Sequence, residues 1–258
     1  MRCDLLDAER VAQTVRELTP DVIIHAQALS DVDRCEREPD AARAQNVQTI
    51  TNVVRGVTAS KTLVIYVSTD YVFDGTKGAP YEETDAPHPI NLYGRSKLEG
   101  ERVTSQHPRG VVVRTSTLFG QGRMNFCNHS VQRFNAHQPV EAFIDQVTSP
   151  TYTEDLADGI AALSEVLFGS PHLRGAQIYH IANAGGCSRV TLANRIAELL
   201  GAPRELVQPI AMASQRRPAQ RPAYSALSTA YVSHIIGRSL RPWDDALQAY
   251  LRQRHWLN

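Results

Sequence analysis

The sequence carries little that would mark a secreted, membrane-spanning or metal-binding protein. Its four cysteines, Cys3, Cys35, Cys127 and Cys187, lie far apart with no CxxC pair and no signal peptide ahead of them, which reads as a reducing, cytoplasmic protein. No apolar run approaches the roughly 20 residues that a membrane span requires, so no membrane partner is expected. The nine histidines include no HExxH and no Cys/His cluster at zinc spacing, so no metal site is indicated. His25, beside an apolar run, reads as a core histidine rather than a ligand. Nor is one sign of charge in excess: 27 Lys and Arg balance 27 Asp and Glu, and nothing calls for nucleic acid as a partner. A small-molecule ligand is the better expectation.

What is present is a sizeable apolar fraction, 42% of 258 residues, enough for one large domain or a main domain carrying a smaller one. Acidic residues prevail over the first 105 positions and basic ones over the rest. From Leu206 to Pro242 there is no Asp or Glu, while Arg216, Arg217, Arg221, Arg238 and Arg241 fall in that stretch, which reads equally as a phosphate-binding surface and as a solvated basic loop. Three nearly continuous β-branched runs, 22–26, 63–67 and 111–115, have the composition of strands buried on both faces. Between them lie helix-like stretches, 8–18 with Val11, Val15 and Leu18 on one face and 40–55 with Ala44, Val47, Ile50 and Val54. The alternation predicts an α/β fold with a parallel sheet. Past about residue 145 the pattern becomes amphipathic helices, 153–168 and 190–200, the second closed by Gly201, and Gln208 to Pro222 reads as a loop.

In open α/β sheets ligands bind beyond the carboxyl ends of the strands. After the second run comes Ser68-Thr69-Asp70-Tyr71, and downstream stands Tyr93-Gly94-Arg95-Ser96-Lys97, which sets a tyrosine and a lysine one helical turn apart. A nearby ammonium can stabilise a phenolate, making such a pair a tunable proton donor. A hydroxyl on Thr69 could hydrogen-bond a substrate carbonyl while Tyr93 donates the proton. The same residues also suit an exposed helix turn for the Tyr-Lys pair, a turn-forming hydroxyl for Thr69 and a cap for Asp70.

Taken with 20–26, 33–39, 68–75, 89–97, 114–116, 146–151 and 221–225, these segments resemble the extended short-chain dehydrogenase/reductases, and within them the dTDP-4-dehydrorhamnose reductase branch. The resemblance runs over the whole chain and implies a Rossmann-like parallel sheet with a smaller C-terminal substrate domain, divided near 145: residues 1–145 for the dinucleotide, residues 146–258 mainly for the sugar nucleotide. It implies NADPH or NADH as cofactor, a dTDP-sugar as substrate and a homodimer. Thr69, Tyr93 and Lys97 would be the catalytic residues, with Tyr93 and Lys97 also touching the cofactor, while Asp4, Leu5, Ala26 and Ala28 would line its adenine and ribose pocket. Asp70, Tyr71, Ser116, Gln146, Thr151 and, at the diphosphate, Arg221 would bind substrate, with Asp145 on the same side.

The chain departs from the family at its start. No glycine precedes Gly56, whereas a dinucleotide site needs a glycine-rich turn so that backbone N–H groups can approach the pyrophosphate. The resemblance begins at Asp4, within the family's third strand region, which favours a truncated reading frame and leaves 22–26 as an open apolar edge. Two other readings share the motifs: a non-catalytic binding subunit like the β subunit of methionine adenosyltransferase, and a sugar-nucleotide epimerase. A dehydratase is disfavoured because Tyr71 stands where that group places a glutamate.

Overall fold

The three apolar runs form the heart of a four-stranded parallel sheet in the computed structural model, which describes residues 2–58, 61–122, 124–170 and 177–257. In chain order, α1 (Ala8–Leu18), β1 (Val22–His25), α2 (Val32–Arg37), α3 (Pro39–Arg43) and α4 (Thr49–Gly56) lead to β2 (Leu63–Thr69), α5 (Leu92–Thr104) and β3 (Gly110–Thr115). Then follow β4 (Leu118–Phe119), α6 (Phe126–Asn135), β5 (Val140–Phe143), β6 (Val147–Thr148), β7 (Thr151–Tyr152) and α7 (Thr153–Gly169). The chain continues through β8 (Gln177–His180), β9 (Cys187–Ser188), α8 (Arg189–Leu200), β10 (Val207–Ile210), α9 (Ala230–Ile236) and α10 (Trp243–Gln253).

The main sheet runs β1-β2-β3-β8, so a strand from the C-terminal half returns to lie beside β3. Successive β2 residues feed opposite cores. Val64 and Tyr66 pack with Val11, Ile50 and Val53 of α1 and α4, while Leu63 and Ile65 pack with Leu156, Ile160 and Leu163 of α7. A separate core joins α6, β5, α8 and α10 through Phe134, Val140, Ile196, Leu247 and Tyr250. β1 pairs only with β2 among the described residues and Ile24 is 50% exposed, so the expected open edge is present, and this run, unlike the other two, is not buried on both faces as its composition predicts.

Three local expectations change. Leu18 is 59% exposed rather than inward, because it ends α1 just before Thr19, whose left-handed backbone turns the chain toward β1. The stretch 40–55 is not one regular helix: a π-helical turn at Ala44–Gln48 separates α3 from α4. That turn resets the buried stripe to Val47, Ile50 and Val53, and it presents Asn46 to the Leu29 backbone (2.7 Å and 3.2 Å) and the Ser96 hydroxyl (2.8 Å). The expected loop after Gln208 begins as a strand, since β10 pairs in parallel with β5. The closure of α8 by left-handed Gly201 matches the sequence.

Helix α5 lies unusually close to the sheet. A Cβ on Gly100 would collide with the Tyr66 ring and hydroxyl, which donates to the Asn46 carbonyl at 3.0 Å. Gly100→Ala should therefore destabilise the fold by about 1–3 kcal/mol despite alanine's better helix propensity, as overpacking outweighs that gain. Urea denaturation compared with the unsubstituted chain measures this directly.

Candidate active site

A cavity of about 540 Å³ opens at the carboxyl ends of β1, β2 and β3. It is lined by Ala26 and Ala28 beyond β1, Thr69, Asp70 and Tyr71 at the end of β2, Ser116 beyond β3, and Tyr93 and Lys97 of α5. Helix α5 is started by Asn91, whose side chain accepts from Gly94 N–H at 2.8 Å while its amide donates to the Gln220 carbonyl at 2.8 Å. Gly94 has no room for a Cβ against the Tyr71 carbonyl, so the helix start presses onto β2's end. Tyr93 thereby meets Tyr71 edge-on at 5.8 Å between ring centres.

The polar groups are tightly organised. The Thr69 hydroxyl donates to Asp70 Oδ1 (3.1 Å) and accepts from Tyr71 N–H (3.2 Å). The hydroxyls of Ser116 (2.8 Å) and Ser225 (2.5 Å) both donate to Asp70 Oδ2. Burial pushes the Asp70 carboxyl up while these three hydroxyls pull it back. Burial likewise raises Tyr93, so the phenol holds its proton firmly. Lys97 is fully buried, and desolvation pushes it down to about 7. Its ammonium donates to the Val67 carbonyl at 2.7 Å and sits over the Tyr66 ring at 3.9 Å, with no hydrogen bond to Tyr93.

A second cavity, about 530 Å³, adjoins the first and shares Tyr71, Phe126 and Arg189 with it. Gln146 and Arg221 line this second space, and Gln146 donates to the Tyr71 hydroxyl at 3.4 Å. The structure thus gathers ten of the residues singled out from sequence: eight in the first cavity and Gln146 and Arg221 in its neighbour. Thr151 is buried elsewhere, its hydroxyl donating to the Ser149 carbonyl at 3.0 Å. Asp4 and Leu5 line neither cavity. Asp4 accepts from Leu6 N–H in a turn, and the Leu5 carbonyl accepts from Asn52 at 2.9 Å. Asp145 accepts from Met212 N–H at 2.9 Å. Of the basic stretch, Arg217 and Arg221 reach the second cavity, whereas Arg241 pairs with Asp155 at 2.8 Å. Sequence reading missed Phe126, Arg133, Phe143 and Arg189 in these walls, and no local motif marks them.

The profile of the RmlD substrate binding domain matches residues 1–255. This chain belongs to that family. It is 36% identical to the dTDP-4-dehydrorhamnose reductase of Mycolicibacterium smegmatis over 250 residues, covering 96% of this chain and 74% of the relative. The reductase of Salmonella typhimurium is 31% identical, with 97% and 85% covered. A crystal structure of the Bacillus anthracis reductase in complex with NADP superposes with a TM-score of 0.88 at 31% identity, covering 97% of this chain and 86% of that one. The parallel sheet with flanking helices is the fold of these family members.

The residues present have room and an unpaired donor for part of such a cofactor. Small side chains at Ala26, Ala28 and Ser30 leave space beside buried Lys97, and the Thr115 hydroxyl on the same wall is buried without a partner. A glycine-rich phosphate turn is not among the described residues, the first glycine being Gly56.

Next to Ala26, His25 is buried against Tyr66 at 5.6 Å with both ring nitrogens unpartnered. Burial, assisted by the Lys97 charge, pushes it from 6.5 down to about 4. Between those values the unfolded chain binds the proton and the folded chain does not, so stability is lost as pH falls from 6.5 toward 4. His25→Phe should shrink that loss, measured as the difference in unfolding free energy across this range.

Proposed function

We propose that this chain reduces the C4 ketone of dTDP-4-dehydrorhamnose to give dTDP-L-rhamnose, with NADPH or NADH as reductant. The observation that carries the reading is the convergence of Thr69, Tyr93 and Lys97 on one cavity at the strand ends. A nicotinamide bound there would supply the hydride that reduces C4.

The chain's own residues handle the oxygen. Thr69 orients the ketone, and Tyr93 passes its phenolic proton to O4 as negative charge develops there. A phenol raised by burial suits this direction of reaction, because it arrives protonated at neutral pH. Giving the proton up then needs a cation close by, and Lys97 is the one buried in the same wall. We assign Lys97 also to the nicotinamide ribose, Tyr93 to the edge of the nicotinamide, and Ala26 and Ala28 to the cofactor wall. Asp70, Tyr71, Ser116 and Gln146 then face the sugar, with Arg221 nearer the nucleotide. On this division residues 1–145 mainly hold the cofactor and 146–258 the sugar nucleotide, with β8 returning to complete the sheet. All four cysteines are free, which suits the cytoplasmic setting we propose. No helix among the described residues is long and apolar enough to cross a membrane.

Fluorescence titration with NADPH followed by the absorbance of reduced nicotinamide on adding dTDP-4-dehydrorhamnose tests this reading. Substrate-dependent oxidation is expected, and its absence in a chain that binds both ligands would refute the assignment. Tyr93→Phe should cut kcat by about 10²- to 10⁴-fold with NADPH affinity nearly unchanged, since only the proton donor is removed. Lys97→Ala should harm both turnover and NADPH affinity, separable by the same titration.

A further inference from the structure

Four arginines line the second cavity, and three are already engaged. Arg221 forms a two-pronged pair with Asp33 at 2.6 Å and 2.8 Å, which holds the Asp33 carboxyl below its usual range. Arg133 donates through Nε to the Pro139 carbonyl at 2.9 Å. Arg217 is exposed, stacks on Phe143 at 4.8 Å and donates to Gln215 Oε1 at 2.7 Å. The cavity's own carboxylate, Glu141, accepts from the Gln215 amide at 2.7 Å.

Arg189 differs from all three. It is the first residue of α8, placed by its backbone N–H donating to the Gln146 carbonyl at 3.2 Å. Its guanidinium lies over the Phe126 ring at 5.1 Å, and Nη2 reaches the Thr117 hydroxyl only at 3.5 Å. Nη1 is buried with no hydrogen-bond partner, and no carboxylate among the described residues lies within ion-pair distance of this side chain. A buried guanidinium donor left unpaired is costly, so the site is built for an acceptor that arrives from outside. Its place is also singular: Arg189 is the one arginine that lines both cavities.

We infer that Arg189 is the positioning residue that grips the sugar-linked phosphate of a nucleoside diphosphate sugar, setting the sugar into the Thr69–Tyr93 cavity and the nucleoside into the adjoining one. This rests on the sugar-nucleotide reading above. Such a ligand carries its charge in the middle, between two bulky ends, and the two cavities flank an uncompensated guanidinium in the same order. The assignment divides labour among the arginines. Arg221, neutralised by Asp33, clasps the 219–221 loop to α2, where Asp33 also accepts from Ala219 N–H at 3.2 Å. Arg133 and Arg217 also lack a carboxylate partner, but of the four only Arg189 holds a buried guanidinium nitrogen with no acceptor and borders both cavities.

The test compares dTDP with dTMP, which differ by the outer phosphate, by calorimetric titration of the whole chain. Arg189→Gln should weaken dTDP about 10- to 100-fold, the range expected for a charge-assisted hydrogen bond, and change dTMP by less than about 3-fold. Arg189→Lys keeps the charge without the fork and should recover part of the dTDP affinity, which also guards against misfolding of the glutamine variant. In turnover the loss should fall mainly in KM. Equal dTDP affinity in the wild type and both variants, or an equal loss for dTDP and dTMP, would overturn the inference. If substrate-dependent oxidation persists in that case, the reductase reading survives. The expected dTDP pattern without any oxidation would instead leave Arg189 in place and remove the reductase.

Discussion

The site depends on one buried ion pair beneath it. Glu101 of α5 accepts from Arg114 of β3 through both oxygens, at 2.9 Å to Nε and 2.7 Å to Nη2, with the two side chains only 4% and 1% exposed. Ser68 of β2 donates to the same carboxylate at 2.5 Å. Breaking such a pair by removing one partner strands a charge in the interior at a cost of about 3–5 kcal/mol. The geometry explains its importance: Ser68 precedes Thr69, Arg114 precedes Thr115 and Ser116, and Glu101 lies one helical turn beyond Lys97. Three elements that carry the chemistry are thus locked in register by one carboxylate. Gly94 and Gly100 let α5 approach closely enough for that lock to close.

Above the lock, burial does most of the tuning. Asp70 and Lys97 are buried and Tyr93 is part-buried at the cavity wall, and each shifts toward its neutral form. A tyrosine that keeps its proton and a lysine poised near neutrality form a pair whose charge state responds to whatever enters the cavity. The Asp70 carboxylate is held by hydroxyls rather than by a cation, so it orders Thr69 without cancelling the positive charge nearby.

The arginines show the complementary principle. A basic stretch in the sequence says where positive charge is plentiful, but function depends on which charges remain uncompensated after folding. Arg221 and Arg241 are neutralised by Asp33 and Asp155, and Arg195, outside that stretch, by Asp244. Arg217, within it, has no ion pair but spends its donors on Gln215, whereas Arg189, also outside it, holds a buried nitrogen without an acceptor at the junction of two cavities.

The chain alone determined what short-range pattern can carry. Continuous β-branched runs specify strands, and 63–69 and 110–115 are buried almost throughout, whereas the run that forms β1 has the same composition but lies part-exposed at the sheet edge. Tyr93 and Lys97 share a face through helical spacing, and Thr69 follows a strand whose end must meet the ligand. Local periodicity failed where an extra residue was wound in, at the π-helical turn of Ala44–Gln48, since one inserted position shifts every side chain after it. Tertiary structure alone decided the remainder: the return of β8 to the main sheet, the neutralisation of Arg221 by a residue 188 positions away, and the freedom of Arg189. These depend on which distant segments pack together, and a guanidinium's partner is chosen by distance in space, which no spacing along the chain encodes.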